Sequence, residues 1–207
     1  MNIFYLDKDP SICAQQHCDK HVVKMIIEYA QLLSTAHRVL DGTQYIEEKY
    51  VHGSLPARFR KIKRWKLEDS LESKLYKASH INHPSAIWAR DSHLNYVWLS
   101  ALLSSLCDEY THRYGKVHKV RESGLSSALS TNVPKNIMIR KIFSEPPPAM
   151  PEAYKVPGDS IASYKRYYIE DKSRFAKWNN RPIPTWYTTG LNHANISVSQ
   201  SGNERSL

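Results

Sequence analysis

Glycine is scarce in this chain, 7 of 207 residues, and cysteine scarcer, with three. So few glycines weigh against a sandwich built from tight turns, and the 11 prolines cluster instead of punctuating short strands. Cys13, Cys18 and Cys107 form an odd set with no Cys-x-x-Cys spacing, which excludes a disulfide framework and a zinc knuckle. No apolar run approaches the roughly 20 residues that cross a bilayer. The opening Met1-Asn2-Ile3-Phe4-Tyr5-Leu6-Asp7 is too short and too soon acidic to read as a secretory signal. There are no internal repeats. These absences together predict a soluble, cytoplasmic, reduced protein with no membrane partner.

Cations are what the chain has in excess: 29 Lys/Arg against 20 Asp/Glu, a formal net charge of +9. A basic surface concentrates polyanions, of which nucleic acid is the commonest.

Asp9-Pro10 opens a first helix, Asp as N-cap and Pro at the first helical position, and helical periodicity runs to about Leu40, ending at Asp41-Gly42. Arg58 to Lys66 holds six positive charges in nine residues, namely Arg58, Arg60, Lys61, Lys63, Arg64 and Lys66, and is predicted to continue as helix to Lys77. Asn82-His83-Pro84 starts another long helix, to Tyr114 with Gly115 as its stop. Residues 119–133 are Ser-rich and predicted as loop, with a short helix after Pro134. Five prolines between 145 and 157 form a connection that can be neither helix nor central strand. Asp159 or Ser160 caps a last helix to about Trp178, and the chain beyond Tyr187 carries no pattern and is predicted to be disordered. The expected fold is mainly α: a single compact helical domain over 1–187 with long loops, and a tail over 188–207.

On the first helix, Val22, Val23, Met25, Ile26, Tyr29, Leu33 and Leu40 share one apolar arc. His17, His21, Lys24, Glu28, Gln31, Thr35 and Arg38 line the opposite side at alternate spacings of four and three, where helix residues are neighbours. That line is either an ordinary solvated face or a functional stripe. Asp19 and His37 fall within the apolar arc. A carboxylate among core side chains needs an arginine, a hydrogen-bond donor or a proton, and such groups recur at catalytic clefts. His17 and His21 could supply two metal ligands, but no Glu lies between them in the metalloprotease manner and no third ligand is in view, so no metal or cofactor is expected.

Between Tyr154 and Tyr187 eight aromatic residues alternate with seven basic ones. Cations neutralise phosphate and aromatic faces stack on unpaired bases. The nucleic-acid contacts expected from charge and exposure are Arg58, Arg60, Lys61, Lys63 and Arg64 of the basic run together with Arg113, Lys116, Lys165, Arg166, Arg181, Trp186 and Tyr187. The last two follow Arg181-Pro182-Ile183-Pro184-Thr185 and are expected in an exposed loop outside any helix.

Ala14-Gln15-Gln16-His17 opening a polar first helix, the all-helical pattern, and Arg181-Pro182-Ile183-Pro184-Thr185-Trp186-Tyr187 together resemble the phage-type pyrimidine-dimer DNA glycosylases of the endonuclease V type. That family ends on Arg-Pro-Thr-Trp-Tyr, two residues shorter, and its members are considerably shorter overall. Cys18-Asp19-Lys20-His21-Val22-Val23-Lys24 is similar to related phage proteins. The resemblance implies cleavage of the N-glycosidic bond of a damaged or modified pyrimidine in double-stranded DNA with an extruded base, accompanied by abasic-site lyase activity. In that family the N-terminal α-amine attacks a sugar C1′ and a glutamate on the first helix assists. That glutamate's position falls on Val23 or Lys24 here, neither acidic. Lys24 or Lys20 would then supply the amine and Asp19 or Glu28 the carboxylate, with His17 and His21 beside them. A base-modification or transfer enzyme acting on DNA or nucleotides, and a non-catalytic DNA-binding or host-interfering protein, are the alternatives.

Overall fold

A computed structural model of the chain describes residues 1–51 and 58–193. The protein is mainly α. Its core gathers around an extended N-terminal segment, Ile3 to Leu6, whose side chains are at most 4% exposed and pack among helices from every third of the chain.

Helix α1 spans Pro10–Gln16, with the Asp9 carboxylate accepting from the amides of Ser11 and Ile12. The single helix predicted to Leu40 is in fact two. The backbone turns extended at His17 and Cys18 and re-enters as α2, Asp19–Asp41. Long-range partners cause the break: the Asp19 amide donates to the Lys177 carbonyl at 2.8 Å, and the Trp178 indole N–H to the Gln16 carbonyl at 3.0 Å. The predicted apolar arc shifts accordingly, leaving Ile12 and Val23 exposed while Val22, Met25, Ile26 and Tyr29 are buried.

Gly42 ends α2 with extended dihedrals, not the left-handed cap that glycine usually supplies there. A Cβ at Gly42 would lie 2.5 Å from the Arg38 carbonyl and 3.0 Å from that of Lys66. Only glycine fits this junction. Beyond it the helix predicted over the basic run is corrected to strands. β1 (Thr43–Tyr50) pairs antiparallel with β2 (Phe59–Lys66) in register from Thr43 opposite Lys66 to Tyr50 opposite Phe59. Apolar Phe59, Ile62 and Trp65 recur at helical spacing, but with Arg and Lys elsewhere they build no buried stripe for a helix.

The second long helix is also divided: α3 (Pro84–Asp91), then α4 (His93–Tyr114). Extended Ser92 separates them, its hydroxyl accepting from the Asn95 amide, while the His93 amide donates to the Met138 carbonyl. His83, not Asn82, caps α3, and left-handed Gly115 stops α4 as expected. The Ser-rich stretch holds two short helices instead of loop, α5 (Lys119–Glu122) and α6 (Leu125–Thr131), and after Pro134 there is only a turn. The Pro-rich connection is irregular apart from one 3₁₀ turn, Glu152–Tyr154. Helix α7 (Ser160–Tyr167), capped by Asp159, widens into a π turn over Tyr168–Lys172 and stops short of Trp178.

A final helix, α8, covers 185–193, which corrects both the loop expected at Trp186 and Tyr187 and the tail expected from 188. Pro184 sits just ahead of it, where no amide is needed, and its carbonyl accepts from the Tyr187 amide. The rest of the predicted tail, 194–207, lies outside the described residues. Among the described residues no helix is long and apolar enough to cross a membrane.

Candidate functional site

The polar stripe of α2 divides into a pinned half and an open half. Arg38, Thr35 and Gln31 serve the fold. Arg38 donates to the carbonyls of Trp65, Glu72, Leu75 and Tyr76 and pairs with Glu72 at 2.7 Å; Gln31 donates to the Lys77 carbonyl and Thr35 to that of Ser79. They fasten residues 72–79 along α2 and set the loop that follows beside the helix's first half. In that loop His80 holds a left-handed backbone (φ 51°), uncommon for a residue with a Cβ.

The open half carries Lys24 and Glu28. Lys24 Nζ lies 3.0 Å from Glu28 Oε1, the lysine largely exposed and the carboxylate 18% exposed. Glu28 is also near enough to His83 for its charge to act on that ring. His83 Nε2 is 3.3 Å from the Met1 nitrogen, and its Nδ1 accepts from the Ser85 amide at 3.2 Å. Burial, with the positive charge at Met1 and His80 behind it, lowers the His83 pKa, so the ring is held neutral. With Nδ1 accepting, the one ring proton sits on Nε2 and points at the Met1 nitrogen. Two pairs, Lys24 with Glu28 on α2 and Met1 with His83, are thus linked through the charge of Glu28 acting on the His83 ring.

The other expected catalytic groups lie elsewhere. Lys20 is exposed, its ammonium 4.8 Å above the Phe175 ring. His17 is fully buried, its Nδ1 on the Cys13 carbonyl at 2.7 Å and its Nε2 on the Tyr29 hydroxyl, which also accepts from the Phe4 amide. His21 stacks on Phe4, centroids 4.1 Å apart, and bonds the Tyr168 hydroxyl. Burial lowers the His17 pKa to about 4 and that of His21 to about 2. Both rings pack on Phe4, but each has its own hydrogen-bond partners inside the core. Among the described residues no three His, Cys, Asp or Glu side chains converge as metal ligands.

Asp19 has the arginine that its apolar setting requires. Its carboxylate accepts from Arg113 Nη1 at 2.8 Å and from the Asn179 amide at 3.0 and 3.1 Å. Arg113, its side chain wholly buried, also pairs with Glu109 at 2.6 Å, and Glu109 holds Arg181 through both oxygens. The four charges form a chain from α2 through the end of α4 to the segment before α8. Glu109 stays ionised there, two guanidinium groups outweighing the burial that opposes it.

The expected nucleic-acid contacts separate in the same way. Arg58, Arg60, Lys61 and Lys63 are exposed at the hairpin, where Arg64 is half-buried against Glu47; Lys116 is exposed after α4. Arg166 is exposed and pairs with Glu170. Arg113 is enclosed by carboxylates, Lys165 lies 5.5 Å over the Trp186 ring, and the Trp186 indole donates to the Gln16 side chain. Tyr187 is buried against Trp178. Sequence reasoning missed His83 as more than a helix start and missed His80 altogether; it reached the Met1 amine only through the family resemblance. Only the Asn-His-Pro run hinted at the first of these.

No family model, curated protein or solved structure matches this chain. The site is therefore read from its own groups.

Proposed function

We propose that the protein is a DNA-acting enzyme of the glycosylase and abasic-site lyase kind, working through an amine of the Lys24–Glu28–His83 cluster. The observation that carries this reading is the Glu28 side chain, 18% exposed and 3.0 Å from one primary amine, with its charge acting on a His83 ring that lies 3.3 Å from the Met1 nitrogen. Nucleophilic amine and proton acceptor within hydrogen-bond reach are what imine chemistry requires. The amine nitrogen bonds to the sugar C1′ as the bond from C1′ to the base breaks, and the base leaves with the electron pair and takes a proton from water. Glu28 takes the proton that the amine loses and passes it to the ring oxygen as the C1′–O bond opens to the iminium. Glu28 then takes a C2′ proton while the C3′–O bond breaks and the phosphate leaves with its electron pair. Asp19, His17 and His21 hold the scaffold in this reading and do not touch the sugar.

Borohydride reduction in the presence of a duplex with an abasic site should trap a covalent adduct that peptide mapping assigns to Lys24 or to the Met1 nitrogen. Glu28→Gln should lower turnover by about a hundredfold or more while leaving duplex affinity within about twofold. Neither adduct nor strand cleavage would remove the lyase mechanism. An adduct on Lys20 alone would move the chemistry off this cluster.

A further inference from the structure

The hairpin of β1 and β2 is unlike the rest of the molecule. No third strand joins it among the described residues, and seven of the eight β1 residues are exposed. It stands on the body through Gly42, the Arg38 bond to the Trp65 carbonyl and the pair of Glu47 with Lys77. An isolated two-stranded ribbon is marginal in water and buries little. Its sixteen residues nevertheless carry six Lys/Arg against two Glu.

Side chains alternate across a ribbon, and here the cations occupy both faces. Lys49 and Arg60 stand opposite each other on one face, with Arg64 and Lys66; Lys61 and Lys63 stand on the other, beside exposed Ile46 and Phe59. Glu47 and Glu48 are occupied by Arg64 and Lys61, whereas Lys49, Arg60 and Lys63 have no carboxylate at ion-pair distance among the described residues. A flat anionic surface would be met by one face only. Positive charge on two opposed faces matches a slot with negative walls on both sides.

We infer that this hairpin is a groove-entering arm, which binds double-stranded B-form DNA by lying in the major groove with its two cationic faces towards the two phosphate ridges. The dimensions agree. The B-DNA major groove, about 12 Å wide, admits an α-helix or a two-stranded ribbon as it stands, whereas the minor groove, about 6 Å wide, takes strands only where the duplex is deformed to open it. Eight residues extend about 26 Å, less than one helical turn of DNA. The major groove of A-form RNA is too narrow for side chains to read, so duplex RNA is not the ligand. The inference rests on the DNA-acting reading of the chain and adds to it the element that holds undamaged duplex, apart from the amine cluster.

The test uses the full chain and an undamaged duplex, so it reads binding whether or not any base is excised. Arg60, Lys61 and Lys63 are replaced together by threonine, which keeps strand propensity; circular dichroism and thermal melting confirm folding. Affinity at about 0.1 M salt should fall tenfold or more, and the slope of log affinity against log salt should shrink by about 2 to 3, near 0.9 per lost phosphate contact. DNA with bulky glucosyl groups in its major groove should bind the wild type as weakly as plain duplex binds the variant, and a minor-groove ligand should not compete. Unchanged duplex affinity in the triple variant would overturn the inference. So would an equal loss on duplex RNA, on single strands or on anionic vesicles, or a change of oligomeric state, which would make the ribbon a self-association edge. Retained ribbon binding with no adduct at the amine cluster would sink the enzyme reading alone.

Discussion

Asp19 shows how one residue can look catalytic in sequence and be structural in three dimensions. A carboxylate among apolar neighbours must be compensated, and sequence cannot name the compensating group when it stands 94 positions away, at Arg113. With the arginine and the Asn179 amide both donating to it, Asp19 joins the start of α2 to α4 and to the chain beyond Trp178. Asp19→Ala leaves a buried guanidinium short of one anion and an amide without its acceptor, and should cost about 2–4 kcal/mol in urea unfolding. Unchanged stability would remove the structural role and return Asp19 to the reacting groups. Glu28 differs in kind. It sits on the stripe that sequence marks out, and its own partner, Lys24, lies four residues before it, so the pair is legible from spacing alone. His83 is not, because its neighbour is at the opposite end of an 82-residue separation.

Elements were legible wherever the signal is local. Asp9 before Pro10, the stop at Gly42, Pro84 as a start, Gly115 as a left-handed stop and Asp159 as a cap all stand as read. The breaks at His17-Cys18 and at Ser92 were not, because their backbone partners, Lys177 and Met138, come from distant segments. The ribbon escaped for a different reason: Phe59, Ile62 and Trp65 mimic a helical period, while the exposure of both faces removes the alternation that betrays a strand. Gly42 is where this element depends on one residue. Gly42→Ala would press a Cβ into two carbonyls. We expect amide exchange to rise across 43–50 and 59–66 while α2 before Arg38 and α4 keep their protection. Uniform loss of protection would mean that the ribbon and body unfold as one unit.

At the scale of the whole molecule the fold is closed by buried imidazoles and by the four-charge chain. His17, His21 and His37 all have pKa values lowered chiefly by burial, so the folded protein holds them neutral. Below an ordinary value near 6.5 the unfolded chain takes up protons that the folded one refuses. The stability these groups provide is therefore complete above about pH 6.5 and falls as pH drops towards 4, where His17 begins to titrate. Each such group adds a slope of up to about 1.4 kcal/mol per pH unit. Melting temperatures should be lower at pH 5 than at pH 7, with a smaller difference in His17→Gln; equal values at both pH would show that the imidazoles are not held neutral. The carboxylates Glu72 and Glu109, whose pKa values are lowered, add their own losses at more acid pH, below the ordinary range for Glu.

The enclosed segment from Ile3 to Leu6 has a consequence for synthesis on the ribosome. Phe4 packs against Tyr164 and Tyr168, and Tyr5 against Trp98. Translated some 160 residues ahead of Tyr164 and Tyr168, this segment acquires its final neighbours only when residues near 168 leave the exit tunnel. Until then its greasy side chains are bare, and the nascent chain is a client for any chaperone that waits at that portal.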